Sequence, residues 1–473
     1  MRIIHAGRDE FNFTHPKKVL EVIKEVNSES LRYYSEEQPL INALAKKHGV
    51  DKDRIFLESG AIGVIHRVFD NVLTPQKSIL LSNPGYPYFH QLAKHHKAEI
   101  NAYPIKETKN CFKHDYEAIL KGLKQKPVIA VITDPESPLG CSVSSKKLEE
   151  ILKETSTDTL IFLDQVHEGF RKENVKDIGE LVNRYPNLLV VRSFSKLYGL
   201  ASLRVGYAMC GEKIKEMINY HEKYLGFCDL AQRIAIAALE SEEYYKAKVE
   251  IINKEKKRFS RIINELPGYR AYKTDHMSLV IRAPEKQIPY LKHHAKASNI
   301  QIGNLEKYHK ILGENSLKGL IRITIGPKKD NDYVLDMIKS VAWLFNFKII
   351  NAEQRNKINT RETGYTINRQ NFYFNKSNLP MGYYKVIIPP RHEVPEHKHE
   401  EQDEYFHFLT SARFKLNDEW LDIKPDTVVN VYPSQKHTIQ ACPDKFVRYL
   451  CSRFPYKHED KVTSKGERVI HKE

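Results

Sequence analysis

The chain has 473 residues, too many for one ordinary core, so two or three domains are expected. Hydrophobic residues make up 41% and charged residues 29%, which excludes a disordered chain, and the lack of any apolar run of roughly 18 residues excludes a membrane partner. Lysine and arginine (75) exceed aspartate and glutamate (60) by 15, yet the signs are interspersed without a block of about five or six like charges, which reads as a lysine-rich surface and not as a nucleic-acid-binding one.

The first ten residues, "MRIIHAGRDE", lack the apolar core of a signal peptide. The six cysteines, at 111, 141, 210, 228, 442 and 451, show no C-x-x-C spacing. A cytoplasmic chain with buried thiols is the expectation.

Val19, Val22, Ile23 and Val26 open the chain at helical spacing. Four β-rich runs follow, "SILLS" (78–82), "VIAVIT" (128–133), "TLIFLD" (159–164) and "LLVVRS" (188–193), separated by helix-length segments. Such alternation predicts a three-layer α/β unit with a mostly parallel sheet, large domain about 36–250, whose ligands bind beyond the carboxyl ends of the strands. From about 251 a long charged helix, "MSLVIRA" (277–283), another helix, "LIRITIG" (320–326) and a last helix predict a small α+β domain over 251–345, packed with the N-terminal arm. Residues 346–379 read as a polar linker. Seven short alternating runs between 380 and 456, from "YYKVIIPP" to "FVRYLCSRF", predict an all-β barrel or jelly roll, and 457–473 a mobile charged tail.

Three of the early strands end in polar residues: Asp134 and Glu136, Asp164, and the run Ser193 to Lys196. A lysine at the end of a buried strand is costly unless it is paired, neutral or bonded covalently. A Schiff base between Lys196 and an aldehyde cofactor removes that cost. Ser193, Ser195 and Arg204 then supply hydroxyls and a fixed cation to a phosphate on the same molecule. Gly60 and Ala61, in "ESGAIGVIHRVF" (58–69), open a helix whose free N–H groups complete an anion cup. Asp164 is placed to keep a pyridine nitrogen protonated, which makes the ring an electron sink. Taken singly, each residue has an ordinary reading: Asp164 a helix cap, the serines strand-end polars, Arg322 a surface ion pair, Tyr86 a core aromatic. Order and spacing together favour the site.

The spacing S-x-S-K-x7-R, the strand end D-x-x-[YH]-x-G-F and "LIRITIG" resemble fold-type I pyridoxal-phosphate enzymes, the class I/II aminotransferases of the histidinol-phosphate aminotransferase and threonine-phosphate decarboxylase type, over residues 1–345. The resemblance implies that Lys196 binds pyridoxal 5'-phosphate covalently, that Ser193, Ser195 and Arg204 hold its phosphate, and that Asp164 pairs with its ring nitrogen. It further implies that Tyr86 stacks on the ring, that Arg322 takes a substrate carboxylate, and that Tyr33 reaches the phosphate of a neighbouring subunit in a homodimer. Two positions depart from the family pattern: Ser137 stands for asparagine in N-P-T-G, and His167 for tyrosine. Both still offer a donor to the cofactor's phenolic oxygen.

The expected reaction is transfer of an amino group between a small amino acid, a phosphorylated one being favoured, and a 2-oxo acid or other carbonyl acceptor. Lys196 acts as the general base. An amino-acid phosphate decarboxylase uses the same residues.

A second site is expected in the β domain. His397 and His399 lie two apart, on one face of a strand, with Glu404 five residues after the second and His437 supplied by the later stretch "YPSQKHTI". Three imidazoles and a carboxylate suit a divalent iron, manganese, nickel or zinc. The elements H-x-H-x4-E and P-x-G-x-x-H resemble the cupins, with Tyr432 for proline, Ser434 for glycine and Ser411 for another glycine. Against the enzyme stands a binding module, in which that domain senses a ligand and the larger one is a degraded scaffold. Intact Lys196, Asp164 and Arg204 argue for the enzyme.

Overall fold

The computed structural model describes residues 2–171, 178–218, 226–308, 317–345, 357–360, 364–373, 380–454 and 461–463. Strand β1 (Ile4–Ala6) is followed by eight strands of one sheet: β2 (Ile55–Ser59), β3 (Ser78–Asn83), β4 (Glu99–Glu107), β5 (Phe112–His114), β6 (Ile129–Thr133), β7 (Leu160–Asp164), β8 (Leu188–Ser193) and β9 (Val205–Cys210). Their order is β2-β9-β8-β7-β6-β3-β4-β5. The middle of the sheet is parallel, from β4 through β3, β6 and β7 to β8, while β9 runs antiparallel to both β8 and β2. Strands β6 and β7 are buried along their whole length, as a parallel sheet covered on both faces requires. Two apolar clusters flank the sheet, one holding Leu163, Val190 and Met209, the other Phe162, Val191 and Ala208. Neighbouring residues along one strand thus feed opposite layers, which is the period-2 rule at work.

The four runs picked out by periodicity are β3, β6, β7 and β8. Because the last three are parallel neighbours, the polar residues that end them converge at one edge of the sheet.

The small domain carries β10 (Arg270–Tyr272), β11 (Ser278–Arg282), β12 (Ile300–Asn304) and β13 (Leu320–Thr324), with β1 added parallel to β12, in the order β1-β12-β13-β11-β10. Helices Glu242–Asn264, Ile288–Ala297 and Lys328–Phe345 cover it.

The C-terminal part is a pair of sheets. One holds β14 (Lys357–Thr360), β15 (Thr366–Tyr373), β16 (Pro380–Ile388), β18 (Asp403–Phe408), β21 (Thr427–Val431) and β23 (Val447–Phe454). The other holds β17 (Glu393–His399), β19 (Ala412–Leu416), β20 (Glu419–Ile423), β22 (His437–Gln440) and β24 (Lys461–Thr463). Val386, Phe406 and Tyr449 of the first meet Val394, Phe414 and Ile439 of the second in one core.

Two expectations are corrected here. The stretch read as a linker contributes β14 and β15, the latter paired to β16 along its whole length from Thr366↔Ile387 to Tyr373↔Pro380. The stretch read as a free tail contributes β24, paired to β17 at His397↔Thr463. Main-chain hydrogen bonding to an adjacent strand holds both, and a polar pattern does not announce it.

Candidate active site and candidate metal centre

At the end of β8 the chain turns sharply. The amide of Ser195 donates to Ser193 Oγ at 3.1 Å, the Ser193 hydroxyl donates to Ser195 Oγ at 2.9 Å, and Arg204 Nη1 stands 3.5 Å from that oxygen. Arg204 adopts φ 55°, a left-handed conformation that folds it back over the turn, and its carbonyl accepts the amide of Gly60 at 2.8 Å.

Gly60 opens the helix Gly60–Val72, and a Cβ there would meet Arg204 Nη2 at 2.3 Å at a φ of +68°. Only glycine lets the guanidinium sit against that helix end. Ser59, at the cap position, makes no side-chain cap hydrogen bond, so the first-turn amides after Gly60 remain available to an anion.

Lys196 donates to the carbonyl of Arg8 at 3.0 Å. Burial, the largest influence, pulls its ammonium below the ordinary 10.5, while Asp9 opposes the shift. Asp164 is buried, and its Oδ1 accepts the amide of Val166 at 3.0 Å. Burial raises its carboxyl to about 6 against the pull of that amide and of Lys196. Tyr86, half-buried at the start of the helix Pro87–His95, feels the charge of Asp164 and stands near Tyr88 and Phe89.

Ser137 and His167 are both buried. Gly140 closes the Ser137 loop at φ +77°, where a Cβ would meet Thr274 at 2.6 Å and His276 Nε2 at 2.9 Å. The His167 ring lies 5.5 Å from that of His276, burial holds it well below its usual value and so neutral, and its Nδ1 has no hydrogen-bond partner.

Arg322 is buried too, but already engaged: Nη1 lies 2.7 Å from Asp9 Oδ2 and Nη2 donates to the carbonyl of Gly7 at 3.1 Å. Tyr33 stands apart from this cluster, 67% exposed, beside exposed Leu31 and Tyr34.

The donor set fits pyridoxal phosphate. A cradle that any Cβ would fill faces an unspent helix N-terminus, a buried carboxyl accepts one amide, and a neutral imidazole holds an orphaned nitrogen beside a lysine of lowered basicity.

Pattern reading missed Asp9 and His276, and gave Glu136 no role beyond that of a strand-end polar residue. Glu136 is fully buried, its Oε2 accepts the amide of Leu139 at 2.9 Å, its Oε1 has no partner, and burial pushes it up to about 8. Its place at the end of β6 was the one available signal.

In the two-sheet domain, His397, His399, Glu404 and His437 are buried together, with ligand atoms all within 4.8 Å of one another. His397 and His437 are paired across β17 and β22. Nδ1 of His397 lies 2.8 Å from the carbonyl of Pro395, and Nδ1 of His437 lies 3.3 Å from that of Gln435. With Nδ1 turned to a carbonyl, Nε2 is the ring nitrogen that each histidine offers to a cation. His437 Nε2 lies 2.8 Å and His399 Nε2 3.3 Å from the Glu404 carboxylate. Burial alone would raise that carboxyl, but Arg453, then His399 and His437, override it and hold it well below the usual range. Arg453, in direct ion pair with Glu404, also escaped the sequence reading. Ser434 takes φ 68°, the conformation a glycine there would supply, and its amide donates to the carbonyl of His399 at 2.6 Å. The turn before His437 is therefore kept without the glycine.

Residues 8–338 match the family model "Aminotransferase class I and II". A histidinol-phosphate aminotransferase of Chlorobaculum tepidum is 25% identical over 300 residues, covering 63% of this chain and 82% of that protein. The solved histidinol-phosphate aminotransferase of Sinorhizobium meliloti in complex with pyridoxal-5'-phosphate superposes with TM-score 0.64 at 20% identity, covering 72% of this chain and 92% of the other. The L-threonine-O-3-phosphate decarboxylase of Porphyromonas gingivalis superposes with TM-score 0.61 at 18% identity, covering 72% and 99%. The matched family region ends before the two-sheet domain begins.

Proposed function

Since the chain belongs to the class I and II aminotransferases and is a pyridoxal-phosphate-dependent enzyme of that family, we propose that it moves an amino group between a small, phosphorylated amino compound and a 2-oxo acid, with Lys196 as the reacting amine. The observation that supports this best is the convergence, at the ends of neighbouring strands, of a lysine of lowered basicity, a buried carboxyl and an anion cup.

In this reading Arg204, Ser193, Ser195 and the first-turn amides from Ala61 onward hold the phosphate, over the space that Gly60 leaves by lacking a side chain. Asp164 holds the proton on the ring nitrogen, Tyr86 covers one ring face, and Ser137 and His167 address the phenolic oxygen. Bound there, pyridoxal phosphate supplies an electron sink for the pair released when a bond to the amine-bearing carbon breaks. Lys196 would take the proton from that carbon and redeliver it. A lowered pKa leaves more of the amine neutral and able to do so. Arg322 is the group for a substrate carboxylate. Exposed Leu31, Tyr33 and Tyr34 support a homodimer in which Tyr33 reaches the neighbouring cup. Six free thiols suit the cytoplasm. In the two-sheet domain, read as a cupin barrel, His397, His399, Glu404 and His437 bind a divalent metal, iron, manganese, nickel or zinc.

The test is a panel of L-amino acids, their phosphate esters and histidinol phosphate, each incubated with 2-oxoglutarate and the pyridoxal-phosphate-loaded protein. A carbonyl product matched by new glutamate, lost in Lys196→Ala, is expected. Carbon dioxide without glutamate would replace this reading by a decarboxylase, and neither product would leave a ligand-binding scaffold.

A further inference from the structure

Both terminal nitrogens of Arg322 already hold partners from within the chain. A guanidinium grips a carboxylate through two neighbouring N–H groups, and here Nη1 is spent on Asp9 Oδ2 at 2.7 Å and Nη2 on the carbonyl of Gly7 at 3.1 Å, leaving only Nε without a partner. Asp9 is not a loose visitor. It is 2% exposed, its amide donates to Thr324 Oγ1 at 3.0 Å, and its Oδ1 accepts the hydroxyl of Ser278. Strand β1 fixes the segment just before it by pairing with β12, and Asn12 Nδ2 donates back to the carbonyl of His5 at 2.9 Å. The carbonyl between Gly7 and Asp9, that of Arg8, is the one that holds Lys196. The same three residues therefore engage both the reacting lysine and the carboxylate-binding arginine.

We propose that Asp9 is a specificity-determining residue: a resident carboxylate that occupies the seat on Arg322, so that an incoming carboxylate binds only by displacing it, while an amine with no carboxylate at the reacting carbon binds with Asp9 in place. This rests on the reading of Arg322 given above and adds that the seat is filled from within the chain. An external carboxylate must compete with a partner that is covalently tethered and triply anchored, at high effective concentration. Neutralising Asp9 removes the competitor and leaves the arginine charge in place.

The test needs no turnover. Glutarate, an amine-free dicarboxylate, is titrated calorimetrically into the protein without added cofactor. Asp9→Asn is expected to bind it at least tenfold more tightly than the parent, and Asp9→Asn/Arg322→Gln to lose that gain. On the loaded enzyme, Asp9→Asn should raise kcat/KM for L-alanine relative to that for 1-aminopropan-2-ol by a similar factor. Should Asp9→Asn fail to fold, the parent alone decides: saturating glutarate should open the Arg8–Asp9 bond to trypsin. Equal glutarate affinity in parent and Asp9→Asn, or no glutarate-dependent cleavage in the parent, would overturn the proposal. Failure of transamination with the glutarate result intact would sink the proposed reaction and leave the Asp9 seat standing.

Discussion

Asp164 is a carboxyl buried for a partner that the chain does not itself provide. Burial raises it from 3.8 to about 6, and the amide of Val166 and the charge of Lys196 only partly offset that. A carboxyl whose folded pKa lies above its unfolded one binds more protons when folded, so stability falls as pH rises between those values. At roughly 1.4 kcal/mol per pH unit, ionising Asp164 costs the cofactor-free protein on the order of 3 kcal/mol by neutral pH. A cation against the carboxylate reverses the sign. Urea unfolding of the cofactor-free parent and of Asp164→Asn at pH 4.5 and 7 should show the parent losing more stability on the way up, and added pyridoxal phosphate restoring more to the parent. Glu136, raised to about 8 chiefly by burial and further by the charge of Asp164, contributes the same sign to both proteins, and more in the parent, which adds to the expected difference. Identical pH dependence in the two would mean that Asp164 is not the charge that waits for the ring.

The elements differ in how much of their role shows in the sequence. Strands β6, β7 and β8 are apolar runs that end on polar residues, so both their place in the sheet and their part in the site were legible. Asp9 was not, because its partners Ser278, Arg322 and Thr324 lie far along the chain and no local pattern links an N-terminal aspartate to them. Strand β15 was hidden for another reason: its residues are mostly polar, and what makes it a strand is its ladder to β16. The histidine pair of β17 sits between these cases. Alternation put His397 and His399 on one face, whereas the approach of His437 on β22 depends on a register that shifts between Val394 and His397. That register predicts the metal chemistry. Parent protein dialysed against a divalent metal should retain about one ion per chain, and His397→Ala should retain much less, since losing one imidazole opens the set. Equal metal in both by elemental analysis would remove His397 from the ligands.

At the scale of the molecule, the two-sheet domain is fused into the small domain and does not merely follow it. Ile387 of β16 and Phe446 belong to the same apolar cluster as Ile281, Ile323 and Val341 of the small domain. Phe446 is fully buried, packed edge-on to His294 and near Tyr333, and its amide donates to Asp336 at 3.1 Å. Asp336 also draws Arg448 to 3.5 Å, and Lys385 sits 4.7 Å over the Trp343 ring. A shared core of this kind makes two domains melt as one unit, because exposing either face strips the other. Removing the Phe446 ring should cost about 3–5 kcal/mol at the junction. The loss falls on the coupling, since the internal core of the two-sheet domain, Phe406, Phe408 and Phe414, is untouched. Scanning calorimetry of Phe446→Ala should therefore split the parent's joint transition, with the two-sheet domain melting first. Metal added to the parent should raise the melting of the small domain along with that of the β domain, and in Phe446→Ala only that of the β domain. A variant whose profile and metal response match the parent's would show that the shared cluster carries no coupling.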